Sequence, residues 1–102
     1  MIIEHKPSFS EETYKLSVIF DKYTSGQNAI MLYDVSDGFP FMTASAALTN
    51  VELESDDVAI KNYSENEGIL ETLIEAGIVS QPHSYIPSGY ANFPICKILK
   101  TA

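Results

Sequence analysis

The chain has no arginine and no tryptophan, and sets six lysines, one cysteine and two histidines against fourteen acids in 102 residues. Nucleic-acid backbones are held by clustered lysine and arginine that displace condensed counterions. A formal net charge of -8 without arginine therefore argues against direct nucleic-acid binding. Cys96 is alone, cannot close an intramolecular disulfide, and suits a reducing compartment. His5 and His83 lie far apart, so zinc-type ligand spacing fails and no metal or other cofactor is expected. The glycines at 26, 38, 68, 77 and 89 are isolated and build no phosphate cradle. No run approaches the roughly eighteen apolar residues of a membrane span, and the first residues lack a secretory apolar region. A cytoplasmic protein that avoids membranes is the expectation.

What is present is ordinary for a folded domain: 45% hydrophobic and 20% charged residues. A core of this size is marginal, and a homodimer would be its natural supplement. Residues 1–12 mix charge, Pro7 and serines and read as a mobile lead-in to a single domain over 13–102. Tyr14, Leu16, Val18 and Phe20 alternate with Lys15 and Ser17, Ala29–Tyr33 and Phe39–Ala44 follow after turn signals, and the three make an antiparallel meander. Thr43–Leu48 reads equally as strand extension or short helical turn. Val51–Glu54 and Val58–Ile60 read as further strands, Gln81–Gly89 as a loop, and Tyr90–Leu99 as a last strand. Pro94 argues for an edge or a bulge there.

The strongest local signal is helical. Ser64 and Glu67 have capping-box spacing, Ile69, Leu70, Leu73 and Ile74 share one side, and Gly77 stands where a helix ends. A helix over about 65–76 follows. The fold class is α+β: a small, mostly antiparallel sheet of about five strands, one face covered by a single main helix.

Chemistry is sparse. Cys96 in an apolar strand reads as a small buried hydrophobe. His83, after Pro82, is a candidate base for a minor hydrolase, but the sequence names no partner for it. The tyrosines and phenylalanines read as packing, not as a stacking platform for bases. A non-enzyme is expected.

Acidic residues are the feature that asks for explanation. Glu52, Glu54, Asp56, Asp57, Glu65, Glu67, Glu71 and Glu75 face only Lys61 in opposition. On a helix, Glu67, Glu71 and Glu75 would repeat at about 6 Å along the axis, close to the spacing of phosphates along a nucleic-acid strand. Such a row either keeps the protein soluble or engages a basic protein surface that normally holds DNA or RNA.

The block Lys61-Asn62-Tyr63-Ser64-Glu65-Asn66-Glu67-Gly68, followed by Glu75-Ala76-Gly77-Ile78-Val79 and Ser88-Gly89-Tyr90, resembles a family of small proteins of unknown function encoded on bacterial plasmids, conjugative elements and phages. After Gly38 the chain departs from it, with Phe39-Pro40 where that family carries an acid before proline. The resemblance implies an accessory protein of a mobile element and carries no activity. Capping explains Ser64 and Glu67; Tyr63 and Asn66 are left over as contact candidates. The expected function is a non-enzymatic acidic binding protein, a counter-defence inhibitor occupying a basic nucleic-acid-binding surface through Glu52, Glu54, Asp56, Asp57, Tyr63, Asn66, Glu67, Glu71 and Glu75. The alternative is an oligomeric module that sequesters a small molecule or nucleotide.

Overall fold

Alternating side chains sort the first half of the chain into an inner and an outer face. In the computed structural model, which describes residues 1–100, β1 (Ile2–His5), β2 (Tyr14–Lys22), β3 (Asn28–Asp34) and β4 (Pro40–Thr43) form one antiparallel sheet in that order. Leu16, Val18, Ile30 and Leu32 turn inward and are fully or almost fully buried. The meander expected from Tyr14 onward is present, closed between β2 and β3 by Gly26 at φ 91.

A second antiparallel sheet holds β5 (Ser45–Ala46), β6 (Asp57–Ile60), β7 (Ser84–Ser88) and β8 (Ala91–Lys97) in the order β5-β6-β8-β7. The chain crosses from one sheet to the other at Ala44. Its amide donates to the Ile30 carbonyl at 2.9 Å and its carbonyl accepts from the Lys61 amide at 2.8 Å. Residues 43–46 are thus extended, and the fully buried alanine is the small residue that lets both sheets meet there. Among the described residues the class is α+β with antiparallel sheets and one α-helix, but eight strands in two sheets replace the expected single sheet of about five.

Four local expectations are corrected. Residues 2–5 are not a mobile lead-in: β1 pairs with β2 from Ile2↔Ser17 to His5↔Tyr14, and Ile3 enters the core. The charges around it hid a strand only four residues long. Residues 51–54 alternate as a strand should, with Val51 and Leu53 packed against the second apolar cluster, yet they pair with no strand. The Gln27 side chain takes their place as partner, donating to the Leu48 and Val51 carbonyls at 3.0 and 2.9 Å and accepting from the Leu48 amide at 2.7 Å. Residues 84–88 are an edge strand, not a loop, and Pro87 is compatible with an edge. Pro94 lies in a central strand; pairing between β6 and β8 stops at Ala59↔Ile95, so no neighbour on that side needs its missing amide.

The helix starts later than its sequence signal. Ser64–Asn66 forms a separate 3-10 turn, Ser64 sits at φ 57, and its side chain caps nothing. Gly68 at φ 97 breaks the path, and α1 runs only over Ile69–Glu75. Asn62 does the capping: its Oδ1 accepts from the Gly68 amide at 3.2 Å and the Leu70 amide at 2.9 Å. The C-terminus ends as expected, with the Gly77 amide on the Ile74 carbonyl and the Ile78 amide on the Leu73 carbonyl, both at 3.0 Å, a Schellman arrangement around Gly77 at φ 74. Asn62→Ala, which strips both N-terminal amides of their acceptor, should cost about 1–2 kcal/mol in urea unfolding. A change within measurement error would mean that water replaces the asparagine at no loss.

Ile69, Leu70 and Leu73 join Leu16, Val18, Ile30 and Leu32 in the main core. Helix and first strand also meet through His5, whose Nδ1 lies 2.7 Å from Thr72 Oγ1. The Thr72 hydroxyl donates to the Gly68 carbonyl at 3.3 Å, which leaves Nδ1 as the donor and Nε2 as a bare lone pair. Nε2 is buried without a partner among the described residues, and burial lowers the pKa of His5 below its ordinary 6.5. Protonation would bury an unpaired N–H and a charge.

The unfolded chain therefore binds the proton more readily than the folded one. Stability is complete above the unfolded pKa and falls as pH drops through it, with a slope of at most about 1.4 kcal/mol per pH unit, until the folded pKa is reached. The difference in melting temperature between wild type and His5→Gln, followed from pH 7.5 to 5, should show this slope. Parallel curves would exclude His5 as its source.

Candidate functional site

The sequence-predicted acids do not form one stripe. Glu52 and Glu54 sit on the loop before β6 and face a groove shared with Ser25–Gln27 at the β2–β3 turn. Asp56 is exposed and lies 3.1 Å from Lys97 Nζ. Asp57 is only 4% exposed and belongs to the interior, which removes it from any contact surface. Asn66 is likewise buried, its Nδ2 donating to the Thr43 carbonyl at 2.7 Å; it ties the 3-10 turn to the strand that links the two sheets. Glu67 precedes α1, so the three-carboxylate row reduces to Glu71 and Glu75, one turn apart. Glu65 is held below the ordinary carboxylate range by its own amide, the Ser64 hydroxyl and Lys61, whose Nζ lies 3.3 Å away.

Asp57 organises a charged tie. Its Oδ1 accepts from Lys97 Nζ and His83 Nε2, each at 2.8 Å, and its Oδ2 accepts from the Glu54 amide at 3.0 Å. Burial pushes the Asp57 carboxyl up, but the bonds from Lys97, His83 and the Glu54 amide outweigh it and keep the pKa below its ordinary value. His83 thus has the carboxylate partner that sequence does not identify. Since Lys97 shares the same oxygen, the arrangement is a pin between β6, β8 and the segment before β7. Cys96, adjacent in sequence, is fully buried, and burial together with the Asp57 charge raises its thiol to about 11, far from a thiolate at neutral pH. Among the described residues, no three His, Cys, Asp or Glu side chains are grouped to hold a metal ion.

The surface with the most distinctive chemistry is a groove of about 730 Å³ between the segment entering α1 and the β7–β8 hairpin. Tyr63 and Asn62 form part of one wall, Tyr85, Tyr90 and Asn92 come from the hairpin, and Leu70 and Glu71 from the helix. The three tyrosines are all exposed, contrary to the expectation of core packing; Tyr14, Tyr23 and Tyr33 are the half-buried ones. Tyr63 is held in place by an edge contact with Phe93 at 5.8 Å and by Lys61 Nζ 5.7 Å from its ring centroid. A second groove of about 310 Å³ shares Leu70, Glu71 and Tyr85 with the first and continues past Ile74 and Glu75 to Gln81 and Pro82. Together they make a trough along the exposed side of α1. Among the described residues no lysine or histidine lines either part, where Glu71 and Glu75 place their carboxylates.

Tyr63, Glu71 and Glu75 of the expected contact set therefore lie on one surface, and Glu52, Glu54 and Asp56 lie elsewhere. Tyr85 falls in the segment that reads as a loop and Tyr90 opens the last expected strand, and nothing in a single sequence places residue 63 opposite residue 90. No family model, no curated protein and no solved structure matches this chain.

Proposed function

We propose that this is a non-enzymatic binding protein whose trough along α1 receives a basic segment of another protein. The carrying observation is chemical: exposed tyrosines and two carboxylates line adjoining grooves that share Leu70, Glu71 and Tyr85, and among the described residues no lysine or histidine lines them. A carboxylate in such a setting attracts cations at long range, and aromatic walls favour cations that shed water on contact. The segments 61–68 and 88–90, on which the resemblance to mobile-element proteins rests, contribute Asn62, Tyr63, Ser88 and Tyr90 to the same groove. In a bacterial cytoplasm carrying a plasmid or phage, the partner would be a nucleic-acid-binding protein, and occupation of its basic surface would block it. A second reading, sequestration of a nucleotide or other small molecule, draws on the size of the groove alone.

Tagged protein incubated with nuclease-treated bacterial lysate should retain a basic protein that elutes at high salt and is not retained by a Glu71→Lys/Glu75→Lys variant. Equal retention by the variant would refute the proposal. A rise in melting temperature with nucleotides, and no partner, would favour sequestration.

A further inference from the structure

The trough differs from a simple acidic patch in the tyrosines that line it beside the carboxylates. Glu71 and Tyr85 stand where its two parts join, with Tyr63 and Tyr90 further along the larger part. Three tyrosines and one carboxylate, with its two acceptor oxygens, line the larger groove. A guanidinium is planar, weakly hydrated, stacks on aromatic faces and pairs with a carboxylate through two parallel N–H donors. An ammonium is compact and strongly hydrated and lacks the planar fork that pairs with both carboxylate oxygens.

The chain's own Lys61 stays beside Tyr63 and Glu65 and does not line the trough, although Tyr63 does. The depression also runs on beyond Tyr85 towards Glu75 and Pro82, a course that fits an extended peptide better than one compact molecule. Strand addition to β7 is disfavoured, because Pro87 removes a donor from that edge strand. The contact would therefore be made by side chains.

We infer that the trough is an arginine-reading site: an extended, arginine-bearing segment of the partner places a guanidinium against Glu71 among Tyr63, Tyr85 and Tyr90, with a second cationic side chain reaching Glu75. This deepens the proposed function and rests on it.

Three fluorescein-labelled nonapeptides of glycine and serine test it, each carrying two arginines, two lysines or two citrullines at the same positions, titrated by fluorescence polarisation against the full chain. The arginine peptide should bind about tenfold tighter than the lysine peptide. The citrulline peptide, which keeps the shape and loses the charge, should not bind. Tyr85→Ala should abolish the preference for arginine, and Glu71→Gln should weaken the arginine peptide more than the lysine one; both side chains are exposed, so the fold is retained. Equal affinity for arginine and lysine peptides would overturn the inference and leave the basic-segment reading standing. No binding of either would overturn both. Arginine preference that survives in Tyr85→Ala would place the recognition elsewhere and overturn the assignment of this trough.

Discussion

Asp57→Ala is expected to lower the stability of the fold by about 2–4 kcal/mol, seen as an earlier urea midpoint with an unchanged slope. The carboxylate is buried, yet three donors converge on it: Lys97 Nζ, His83 Nε2 and the Glu54 amide. Removing it unpins the segment before β7, leaves the Glu54 amide without its acceptor and opens a void at the first residue of β6. Lys97 and His83 are each partly exposed and regain water, which keeps the cost below that of severing a fully enclosed pair. Asp57→Asn, with a similar shape and no charge, should fall between the two.

The same carboxylate sets the acid limb of stability. Its folded pKa lies below the ordinary 3.8, so its contribution is complete above the unfolded value and is lost as pH falls through the folded one. The Ala variant should melt with less pH dependence below about pH 4 than wild type. A loss under about 0.5 kcal/mol, the range of ordinary surface substitutions, would show that the tie does not hold the fold.

Glu71→Lys/Glu75→Lys should reduce affinity for the captured basic partner by about a hundredfold or more, with an intact fold, because two attractive contacts become repulsive ones. Both residues are exposed on α1. The substitution also places a lysine in the last turn, the favourable end of the helix dipole, so the melting temperature should hold or rise slightly. Glu52→Lys/Glu54→Lys is the matched control: it changes net charge equally but acts at a separate groove. If the control weakened binding as much as the test, overall charge and not the trough would be responsible.

The residues explain which parts of this picture could be read in advance. Leu16 and Val18 announce themselves by alternation, since a half-buried strand needs period two whatever it packs against, and Ile30 and Leu32 by a short apolar run bounded by turn residues. Ile69, Leu70, Leu73 and Gly77 announce a helix and its end for the same local reason. Ser64 and Glu67 show the limit of local signals. Their spacing suits a capping box, but Asn66 is drawn to the Thr43 carbonyl, Gly68 turns to positive φ, and Asn62 caps the later start instead.

The amino-acid sequence by itself determined the acidity, the absence of arginine, the meander and the apolar side of α1, because these depend on composition or on neighbours a few residues apart. Only the tertiary structure decided which acids act together. Asp57 went inward to meet His83 and Lys97, twenty-six and forty residues away, and Asn66 went inward to a carbonyl twenty-three residues back. Glu71 and Glu75 were left facing Tyr85 across a trough that exists only because the β7–β8 hairpin folds back beside the helix. Burial converts a carboxylate from a charge available to partners into a clamp for its own chain, and burial is set by contacts distant in sequence.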